Sequence, residues 1–453
     1  MGRLFGTDGV RGVANEKLTC SLAMKIGRAA ATVLVGNTTH KAKVVIGKDT
    51  RLSGDMLEGA LIAGLCSVGV DVELLGVIPT PAVAYLVRKY NADAGIMISA
   101  SHNPYEFNGI KIFSGDGYKL PDVMEDEIES IIRGEKPSIS CAYNALGTVK
   151  RAENAAEDYI DYIAATIENR LDGMRVALDC ANGSSSVTAE KLFKKLGAEC
   201  FMLSDQPDGI NINDKCGSTH LENLKAYVVE NQLDLGIAFD GDADRCLAVD
   251  ENGNEVDGDF IMAICAYDMK ARHVLKKNTL VGTVMSNMGL QVFCKENDIP
   301  FVTTAVGDRY VLEAMRQEGY CLGGEQSGHV IFLDYATTGD GELTGVQLLS
   351  LLKRTGKKLS EAAALMKKYP QVLINIPVIP NGGAVLEDEE LKANLAETEK
   401  TLGDTGRILV RKSGTEPLVR VMLEGADLDL IRELGEKTAA LIRNKVGKDR
   451  GND

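Results

Sequence analysis

Leu235-Gly-Ile-Ala-Phe239, followed at once by Asp240-Gly-Asp-Ala-Asp-Arg245, is the stretch of this 453-residue chain that decides its fold. An apolar run without a polar alternate face predicts a strand covered on both sides of a parallel sheet. Ala94-Gly-Ile-Met-Ile98 repeats the pattern and runs into Ser99-Ala-Ser-His-Asn-Pro104. Because ligands in such sheets bind beyond the carboxyl ends of strands, these two polar loops are predicted to form a site.

The same rhythm of strand and helix occurs three times, which favours βαβ units and a largely parallel sheet. Strands are predicted at residues 43–47, 70–75 and 94–98, then at 175–179, 199–203 and 235–239, and then at 279–284, 301–304 and 320–322. The last strand of the third set ends at Gly323-Gly-Glu-Gln-Ser-Gly-His329. We therefore infer a threefold repeat whose three polar loops face one cleft.

The fold class predicted is α/β: three similar domains with parallel or mixed sheets around a central cleft, and a smaller C-terminal α+β domain. The predicted boundaries are 1–150, 151–253, 254–368 and 369–453. Strands near 372–379, 406–411 and 418–424, helices near 387–402 and 428–446, and a loop at 379–383 set the last domain apart.

Composition excludes several classes of function. A formal net charge of -15 argues against a nucleic-acid partner. The ten cysteines are scattered without C-x-x-C pairs, so neither a zinc site nor a disulfide framework is expected. The chain has no apolar leader and no long apolar span, so we expect no membrane insertion and a cytoplasmic location.

Asp240, Asp242 and Asp244 alternate along the second loop, and hard divalent cations such as Mg²⁺ prefer oxygen ligands. Crowded carboxylates repel one another and therefore imply a cation. An EF-hand would place Glu251 at its twelfth position, but Arg245 occupies the sixth, where the sharp turn needs glycine. A solvated acidic turn without a metal stays open as an alternative.

Ser101 is a hydroxyl nucleophile at the end of a predicted strand, although a Ser-Asn-Pro turn without chemistry is the plain alternative. A hydrolase serine needs a histidine partner, and the side chains of Ser101 and His102 would diverge on an extended backbone. The G-x-S-x-G elbow is also absent. A serine that carries a phosphoryl group needs instead a metal, cationic groups and an acid or base.

Three cationic residues could serve such a serine. Lys111 could neutralise phosphoryl oxygens or, with a lowered pKa, relay a proton, and it could also be a surface lysine. Arg245 ends the acidic loop, and Arg11 lies in the glycine-rich stretch Gly6-Thr-Asp-Gly-Val-Arg-Gly12. His329 is a candidate acid or base, although single histidines are often structural.

Two further stretches suit a phosphorylated sugar. Arg411-Lys-Ser-Gly-Thr-Glu-Pro417, with Arg420 after it, offers guanidinium, hydroxyl and backbone donors for a phosphate monoester. Glu325 and Ser327 offer polar groups at alternate positions, which suits vicinal hydroxyls. A charged turn is the alternative for the first stretch.

Taken together, the loops at 99–104, 240–245, 324–329 and 411–417 resemble the four signature loops of the α-D-phosphohexomutases, in the family's order and one in each domain. The opening Phe5-Gly-Thr-Asp-Gly-Val-Arg-Gly12 and the Glu325-Gln-Ser327 stretch resemble most closely the bacterial branch that acts on hexosamine phosphates. The family fold has three similar α/β domains and a smaller fourth domain that closes over the cleft.

The resemblance implies a role for each candidate residue. Ser101 would be the phosphoserine, and Mg²⁺ would bind Asp240, Asp242, Asp244 and a phosphoserine oxygen. Glu325 and Ser327 would bind sugar hydroxyls. The phosphate that is not transferred would be bound by Arg411, Ser413, Gly414, Thr415 and Arg420. The transfer site would be surrounded by Arg11, Lys111, Arg245 and His329. A hexosamine 1,6-bisphosphate would be both intermediate and activator, the partner would be a small phosphosugar, and relatives suggest a homodimer.

Three alternatives stay open at this stage. The same machinery could act on glucose or mannose phosphates, since the sugar loop reads hydroxyls that these hexoses share. A non-catalytic bisphosphate sensor would not need the intact Ser101, Lys111, His329 and aspartates. A metal-dependent phosphatase would use an aspartate nucleophile and would make Ser101 superfluous.

Overall fold

The computed structural model describes residues 3–6, 8–35, 39–378, 382–412 and 418–449. The chain divides into two compact units. The first comprises residues 1–285 and 297–365 and contains three β-sheets, and the second comprises residues 286–296 and 366–453 and contains one.

The first sheet has six strands in the order β1-β5-β4-β2-β3-β6. Its segment of the chain runs through β1 (Val10–Val13), α1 (Cys20–Val35), β2 (Lys43–Lys48), α2 (Gly54–Cys66), β3 (Asp71–Val77), α3 (Thr80–Lys89), β4 (Ala94–Ile98), β5 (Phe107–Ser114), α4 (Asp122–Ile132) and β6 (Val149–Arg151). Strands β3, β2 and β4 are parallel, and β5 is antiparallel to both β4 and β1.

The second sheet has five strands in the order β11-β10-β9-β7-β8. Its elements are α5 (Ala155–Ala164), β7 (Arg175–Asp179), α6 (Ala189–Lys195), β8 (Glu199–Leu203), α7 (Glu222–Glu230), β9 (Leu235–Phe239), β10 (Cys246–Asp250) and β11 (Glu255–Val256). Strands β8, β7 and β9 are parallel, and β10 is antiparallel to β9.

The third sheet has four strands in the order β13-β12-β14-β15. Its segment holds α8 (Gly258–Ala271), β12 (Leu280–Thr283), α9 (Met288–Glu296), β13 (Phe301–Thr304), α10 (Asp308–Glu318), β14 (Leu322–Gly324), β15 (Val330–Phe332), α11 (Gly341–Thr355) and α12 (Leu359–Ala363). Parallel β13, β12 and β14 are again followed by an antiparallel strand, so the three sheets repeat one topology.

This topology confirms the α/β class and the repeat but corrects two details. The sheets are mixed rather than largely parallel, because each repeat adds the antiparallel strand β5, β10 or β15. The strand predicted at 320–322 lies at Leu322–Gly324 instead, because the Tyr320 N–H bonds to the Met315 carbonyl at the end of α10.

Both central strands that precede the first two polar loops are completely buried. Every residue of Ala94–Ile98 and of Leu235–Phe239 is shielded from solvent, as their uninterrupted apolar sequences require. Helix α1 packs on α2 so closely that a Cβ at Gly64 would lie 2.4 Å from the Met24 carbonyl oxygen. These packed layers give the loops a rigid base.

The second unit is an antiparallel sheet in the order β16-β18-β17 with two long helices. Its elements are β16 (Gln371–Pro377), a 3-10 helix (Gly382–Glu387), α13 (Glu389–Leu402), β17 (Gly406–Lys412), β18 (Leu418–Gly425) and α14 (Leu428–Asp449). Helix α9 also belongs to this unit, and the Met288 N–H at its start bonds to Glu424 Oε2 at 3.0 Å.

The predicted loop at 379–383 lies partly outside the described residues, and its last two residues begin the 3-10 helix. Within the described ranges, each helix is too short or too polar to cross a lipid bilayer.

Candidate active site

Each of the three polar loops connects the third parallel strand of a repeat to its antiparallel partner. Residues 99–106 join β4 to β5, residues 240–245 join β9 to β10, and residues 325–329 join β14 to β15. The loops therefore start at carboxyl ends of parallel strands, where ligands of α/β sheets bind. Side chains of the first and of the third loop each come within hydrogen-bonding or ion-pair range of the second loop.

Ser101 lies at the centre of these contacts. Its side chain is buried, and its Oγ donates a hydrogen bond to Asp240 Oδ2 at 2.6 Å. The backbone of Ser101 is in the left-handed region, with φ of 55°. The loop is therefore not extended, and Ser101 Oγ lies 3.3 Å from His102 Nδ1, which corrects the expectation that these two side chains diverge.

His102 is nevertheless a weak base in this setting. Burial, together with the nearby guanidinium groups of Arg245 and Arg11, lowers the pKa of His102 to about 4. The imidazole is thus neutral at pH 7. The strong partner of the Ser101 hydroxyl is a carboxylate from the neighbouring repeat, an arrangement unlike that of a serine hydrolase.

The aspartates of the second loop form a compact acidic cluster. Asp240, Asp242 and Asp244 are buried, and one oxygen of each lies within 4.8 Å of the others. Burial and the two neighbouring carboxylates raise the pKa of Asp240 well above its ordinary value. No described residue donates a hydrogen bond to Asp242 Oδ1 or to Asp244 Oδ1; the latter has His329 Nδ1 at 3.7 Å and Arg245 Nε at 3.9 Å, both beyond hydrogen-bond distance. Oxygen ligands at this density, two of them free to coordinate, fit Mg²⁺.

The EF-hand alternative does not hold. Glu251, which would supply the twelfth ligand, accepts hydrogen bonds from the backbone and side chain of Ser360 and is not in the acidic cluster. A solvated acidic turn does not hold either, because the three aspartates are buried.

Lys111 enters the cluster from β5. Its Nζ lies 2.7 Å from Asp242 Oδ2 and 3.1 Å from Asp244 Oδ2, and its side chain is only 1% exposed, so it is not a surface lysine. Burial alone would lower the pKa of Lys111, but the surrounding carboxylates outweigh burial and raise that pKa well above its ordinary value. The structure thus supports Lys111 as a fixed cation and not as a lysine of lowered pKa.

Arg11 and Arg245 add positive charge beside the cluster. Arg11, on β1, pairs with Asp8, whose Oδ2 also lies 3.3 Å from Lys111 Nζ. The Arg245 N–H donates to Asp240 Oδ1 at 3.1 Å, and its Nε lies 3.9 Å from Asp244 Oδ1. Both guanidinium groups are therefore held next to the residues that surround Ser101.

His329, in the third loop, contacts Asp244 of the second loop. Its Nδ1 lies 3.7 Å from Asp244 Oδ1, and its Nε2 accepts a hydrogen bond from the Gly339 N–H. Burial lowers the pKa of His329, but Asp244 and Asp308 outweigh burial, and the net direction is upward. Because Nε2 is an acceptor, the neutral imidazole carries its proton on Nδ1, facing Asp244.

The predicted sugar-reading residues occupy the outer part of the same loop. Glu325 is partly buried, and its Oε1 accepts a hydrogen bond from the Gly307 N–H at 3.1 Å. Ser327 is exposed. The Cys246 N–H, at the start of β10, bonds to the Gly328 carbonyl at 3.0 Å and fixes this loop against the second sheet.

Sequence reasoning missed a set of residues that hold the Ser101 loop. Arg51 is fully buried and donates to the carbonyl oxygens of Ser101 and Asn103, and its Nε donates to Asp49 Oδ2 at 2.9 Å. Asn213 Nδ2 donates to the same Ser101 carbonyl at 2.9 Å.

Thr80 was also missed, and it anchors the acidic loop by donating its hydroxyl to Asp242 Oδ2 at 2.6 Å and its N–H to the Asp242 carbonyl. Residues 49–51 follow β2 and Thr80 follows β3. The carboxyl-end rule, applied to those strands as well, would have found them.

The predicted anion-binding residues lie in the second unit. Arg411 on β17 is directly opposite Arg420 on β18, and burial together with Arg420 lowers the pKa of Arg411. Like charges opposite each other in a sheet are unfavourable without an anion to bridge them. Ser413, Gly414 and Thr415 lie outside the described residues.

Comparison with known proteins agrees with this geometry. Four sequence models of the phosphoglucomutase/phosphomannomutase family match in order: α/β/α domain I at residues 2–138, domain II at 157–253, domain III at 257–369 and the C-terminal domain at 373–441. A phosphoglucosamine mutase of Thermoanaerobacter sp. strain X514 is 57% identical over 447 residues, which is 98% of this chain and all of that protein.

Solved structures are similar over the whole chain. A phosphoglucomutase/phosphomannomutase family protein of Burkholderia thailandensis has a TM-score of 0.82 at 25% identity, with 98% of this chain and 97% of that chain covered. The N-acetylphosphoglucosamine mutase of Aspergillus fumigatus, in complex with GlcNAc-6P and magnesium, shares the fold at a TM-score of 0.65 and 18% identity, over 94% and 99% of the two chains. The four matched domains and the full-length relative show that the chain belongs to the phosphoglucomutase/phosphomannomutase family, the α-D-phosphohexomutases.

Proposed function

We propose that the protein is a phosphoglucosamine mutase, which interconverts glucosamine 6-phosphate and glucosamine 1-phosphate with Ser101 as the residue that carries the phosphoryl group. The observation that carries this proposal is the 2.6 Å hydrogen bond from Ser101 Oγ to Asp240 Oδ2, inside the buried acidic cluster. The full-length relative named phosphoglucosamine mutase supports the choice of substrate.

Mg²⁺ fits the acidic cluster, and Asp240, Asp242 and Asp244 would hold it together with an oxygen of phosphorylated Ser101. When bound, it would neutralise negative charge on the phosphoryl group during transfer. Asp242 Oδ1 and Asp244 Oδ1 are buried and accept no hydrogen bond from the described residues, which supports this assignment. So does the magnesium in the complex of the fungal N-acetylphosphoglucosamine mutase.

The first transfer breaks the bond between phosphorus and Ser101 Oγ and forms a bond from phosphorus to the free sugar hydroxyl, which gives a glucosamine 1,6-bisphosphate. The sugar hydroxyl loses its proton as the new bond forms, and Ser101 Oγ takes up a proton as its bond to phosphorus breaks, so that Ser101 is left as a neutral hydroxyl. In the second transfer, the bisphosphate has turned over and its other phosphate returns to Ser101. This bisphosphate is therefore both intermediate and activator.

The chain's own cations offset charge during both transfers. Lys111 is held as an ammonium by Asp242 and Asp244, Arg11 pairs with Asp8 beside Lys111, and Arg245 lies beside Asp240 and Asp244. We assign the proton transfer to His329, whose ring lies 3.7 Å from an oxygen of Asp244.

The sugar and its second phosphate are assigned to two sets of residues. Glu325 and Ser327 would read the sugar hydroxyls, and Arg411 and Arg420 would hold the phosphate that is not transferred, together with Ser413, Gly414 and Thr415. The opposed guanidinium groups of Arg411 and Arg420 support an anion-binding role. A small phosphosugar would be the partner, and the homodimer, the cytoplasmic location and the four domain boundaries remain predictions.

The test is ³¹P NMR of the purified protein with Mg²⁺ and a trace of hexose 1,6-bisphosphate. Glucosamine 6-phosphate, glucose 6-phosphate and mannose 6-phosphate are supplied separately, and we expect the 1-phosphate to form fastest from the glucosamine compound. The variant Ser101→Ala is the control and should form none.

Faster conversion of glucose or mannose 6-phosphate would overturn the substrate and keep the mechanism. Release of inorganic phosphate alone would indicate a phosphatase. Substantial turnover by Ser101→Ala would exclude the phosphoserine.

A further inference from the structure

Two residues outside the assigned site contact the sugar-reading loop at both of its ends. The Gly307 N–H bonds to Glu325 Oε1 at 3.1 Å, at the start of the loop. Asp308 Oδ2 lies 3.5 Å from His329 Nε2, at the end of the loop. Asp308 is the first residue of α10, so its carboxylate is fixed to a rigid element between Glu325 and His329.

The Asp308 carboxylate is accessible and only partly neutralised. Its side chain is 15% exposed, and Lys119 Nζ lies 2.5 Å from its Oδ2. Lys119 is shared with Asp8, whose Oδ1 is also 2.5 Å away, so one ammonium serves two carboxylates. Among the described residues, both contacts of Asp308 are made through Oδ2, which leaves Oδ1 able to accept another donor.

We infer that Asp308 is the residue that selects the amino sugar, by binding the ammonium group at C2 of glucosamine phosphate. This inference rests on the proposed function. In a hexose, the C2 substituent is vicinal to the C3 hydroxyl, so a residue beside Glu325 is in the right place to read it. An ammonium attracts a carboxylate as an opposite charge as well as through a hydrogen bond, whereas the uncharged C2 hydroxyl of glucose offers the hydrogen bond alone.

The competing explanation is that Asp308 merely holds Lys119 in place. The two explanations differ in one observable. A residue that only positions Lys119 affects all hexose phosphates alike, whereas a residue that binds the C2 ammonium affects the amino sugar alone. The preference between two substrates therefore separates them, and the neutral sugar reports whether the variant is folded.

The experiment compares kcat/KM for glucosamine 6-phosphate and glucose 6-phosphate in the wild type, Asp308→Asn and Arg309→Met. Arg309 is the matched control because it is the next residue in the same helix, and its guanidinium pairs with Asp122 and Glu125. We expect Asp308→Asn to lower kcat/KM for glucosamine 6-phosphate by about tenfold to a hundredfold, the usual effect of losing a hydrogen bond between charged groups. For glucose 6-phosphate, we expect a change below about threefold.

Arg309→Met should change kcat/KM for glucosamine 6-phosphate and for glucose 6-phosphate by the same factor. Equal losses on both substrates in Asp308→Asn would overturn the assignment of Asp308 and leave the proposed function intact. A wild type that prefers glucose 6-phosphate would overturn the proposed substrate first and this assignment with it. Asp308→Ser, which also removes the charge, should reproduce the loss of preference, and an unchanged preference in both variants would overturn the assignment.

Discussion

The Nη2 atom of Arg51 donates a hydrogen bond to the carbonyl oxygen of Ser101 across 2.9 Å, and its side chain is completely buried. The same guanidinium reaches the carbonyl oxygens of Asn103, Pro104 and Phe107. One side chain from the end of β2 thus holds the whole loop on which Ser101 takes up its left-handed backbone. Such a conformation costs free energy and persists only when its surroundings fix it.

We expect Arg51→Met to destabilise the protein by about 3–5 kcal/mol, because it leaves the Asp49 carboxylate buried without its cationic partner and removes the guanidinium donors from the loop carbonyls. Turnover should fall at least about tenfold even where the variant is folded, since a displaced nucleophile loses its alignment. Urea unfolding and initial rates at low urea measure the two effects.

The control is Arg170→Met, which removes an exposed guanidinium paired with Asp172. Exposed pairs contribute about 0–1 kcal/mol, so this variant should unfold at nearly the wild-type urea concentration. Equal midpoints for Arg51→Met and Arg170→Met would contradict the role given to Arg51.

Asp242→Asn tests the metal site. The amide oxygen can still accept the Thr80 hydroxyl, but one of three buried negative charges is lost. We expect the Mg²⁺ concentration for half-maximal activity to rise about tenfold or more. The hydrogen bond from Thr80 that orients residue 242 survives in the variant, but one anionic ligand of the metal is lost. A magnesium titration of the initial rate provides the measurement.

Glu251→Gln is the matched acidic control for that titration. Glu251 follows the same loop but bonds to Ser360 and not to the cluster. Its variant should titrate like the wild type. A shift in Glu251→Gln, or none in Asp242→Asn, would place the metal elsewhere.

The sequence predicted the central strands with the correct bounds where burial is complete. Ala94–Ile98 and Leu235–Phe239 are apolar throughout because both sheet faces are covered. Strands β5, β10 and β15 were missed, because each follows a polar loop and is defined by its antiparallel pairing with the strand before that loop. Hydrophobic periodicity reports which face is buried and not which strand is the neighbour.

The placement of α9 shows the same limit. Its sequence predicts a helix in the third repeat, but its contacts group it with the second unit through Asn287 and Glu424.

In the site, residues with unusual local patterns, such as the aspartates of residues 240–244, were identifiable. Arg51 and Thr80 were not, since an isolated arginine or threonine gains meaning only from the carbonyl or carboxylate brought to it by the fold.

Asp340 should make stability depend on pH. It caps α11, and its Oδ1 accepts the Leu343 N–H and the Tyr159 hydroxyl. Burial raises the pKa of Asp340 to about 7 in the folded protein, whereas an exposed aspartate titrates near about 3.9. The folded state therefore keeps a proton that the unfolded state has lost, and stability falls as pH rises from about 4 to about 7.

Asp340→Asn keeps the Oδ1 acceptor and removes the titration. Between about pH 5 and about pH 8, we expect the free energy of unfolding to fall less in this variant than in the wild type. The difference between the two falls should be up to about a few kcal/mol. Urea unfolding at the two pH values gives the difference. Asp388→Asn is the control, because Asp388 caps α13 in the same way but Lys445 lowers its pKa. If Asp340→Asn and the wild type lose equal stability over this range, Asp340 does not hold a proton in the folded protein.

Arg420→Ala tests the phosphate assignment in the second unit. Arg420 and Arg411 face each other across β18 and β17, so removing one guanidinium relieves the repulsion between these two charges. If the pair binds the phosphate that is not transferred, the contact is equal in the ground state and the transition state. KM should then rise about tenfold to a hundredfold with little change in kcat.

Steady-state kinetics with glucosamine 6-phosphate separates the two constants, and Arg432→Ala, an exposed arginine of α14 in the same unit, should leave both unchanged. A selective fall in kcat would instead mean that Arg420 contacts the phosphoryl group during transfer, because an interaction made only in the transition state lowers kcat without raising KM. If KM and kcat are unchanged in Arg420→Ala, the opposed guanidinium groups of Arg411 and Arg420 do not bind the substrate.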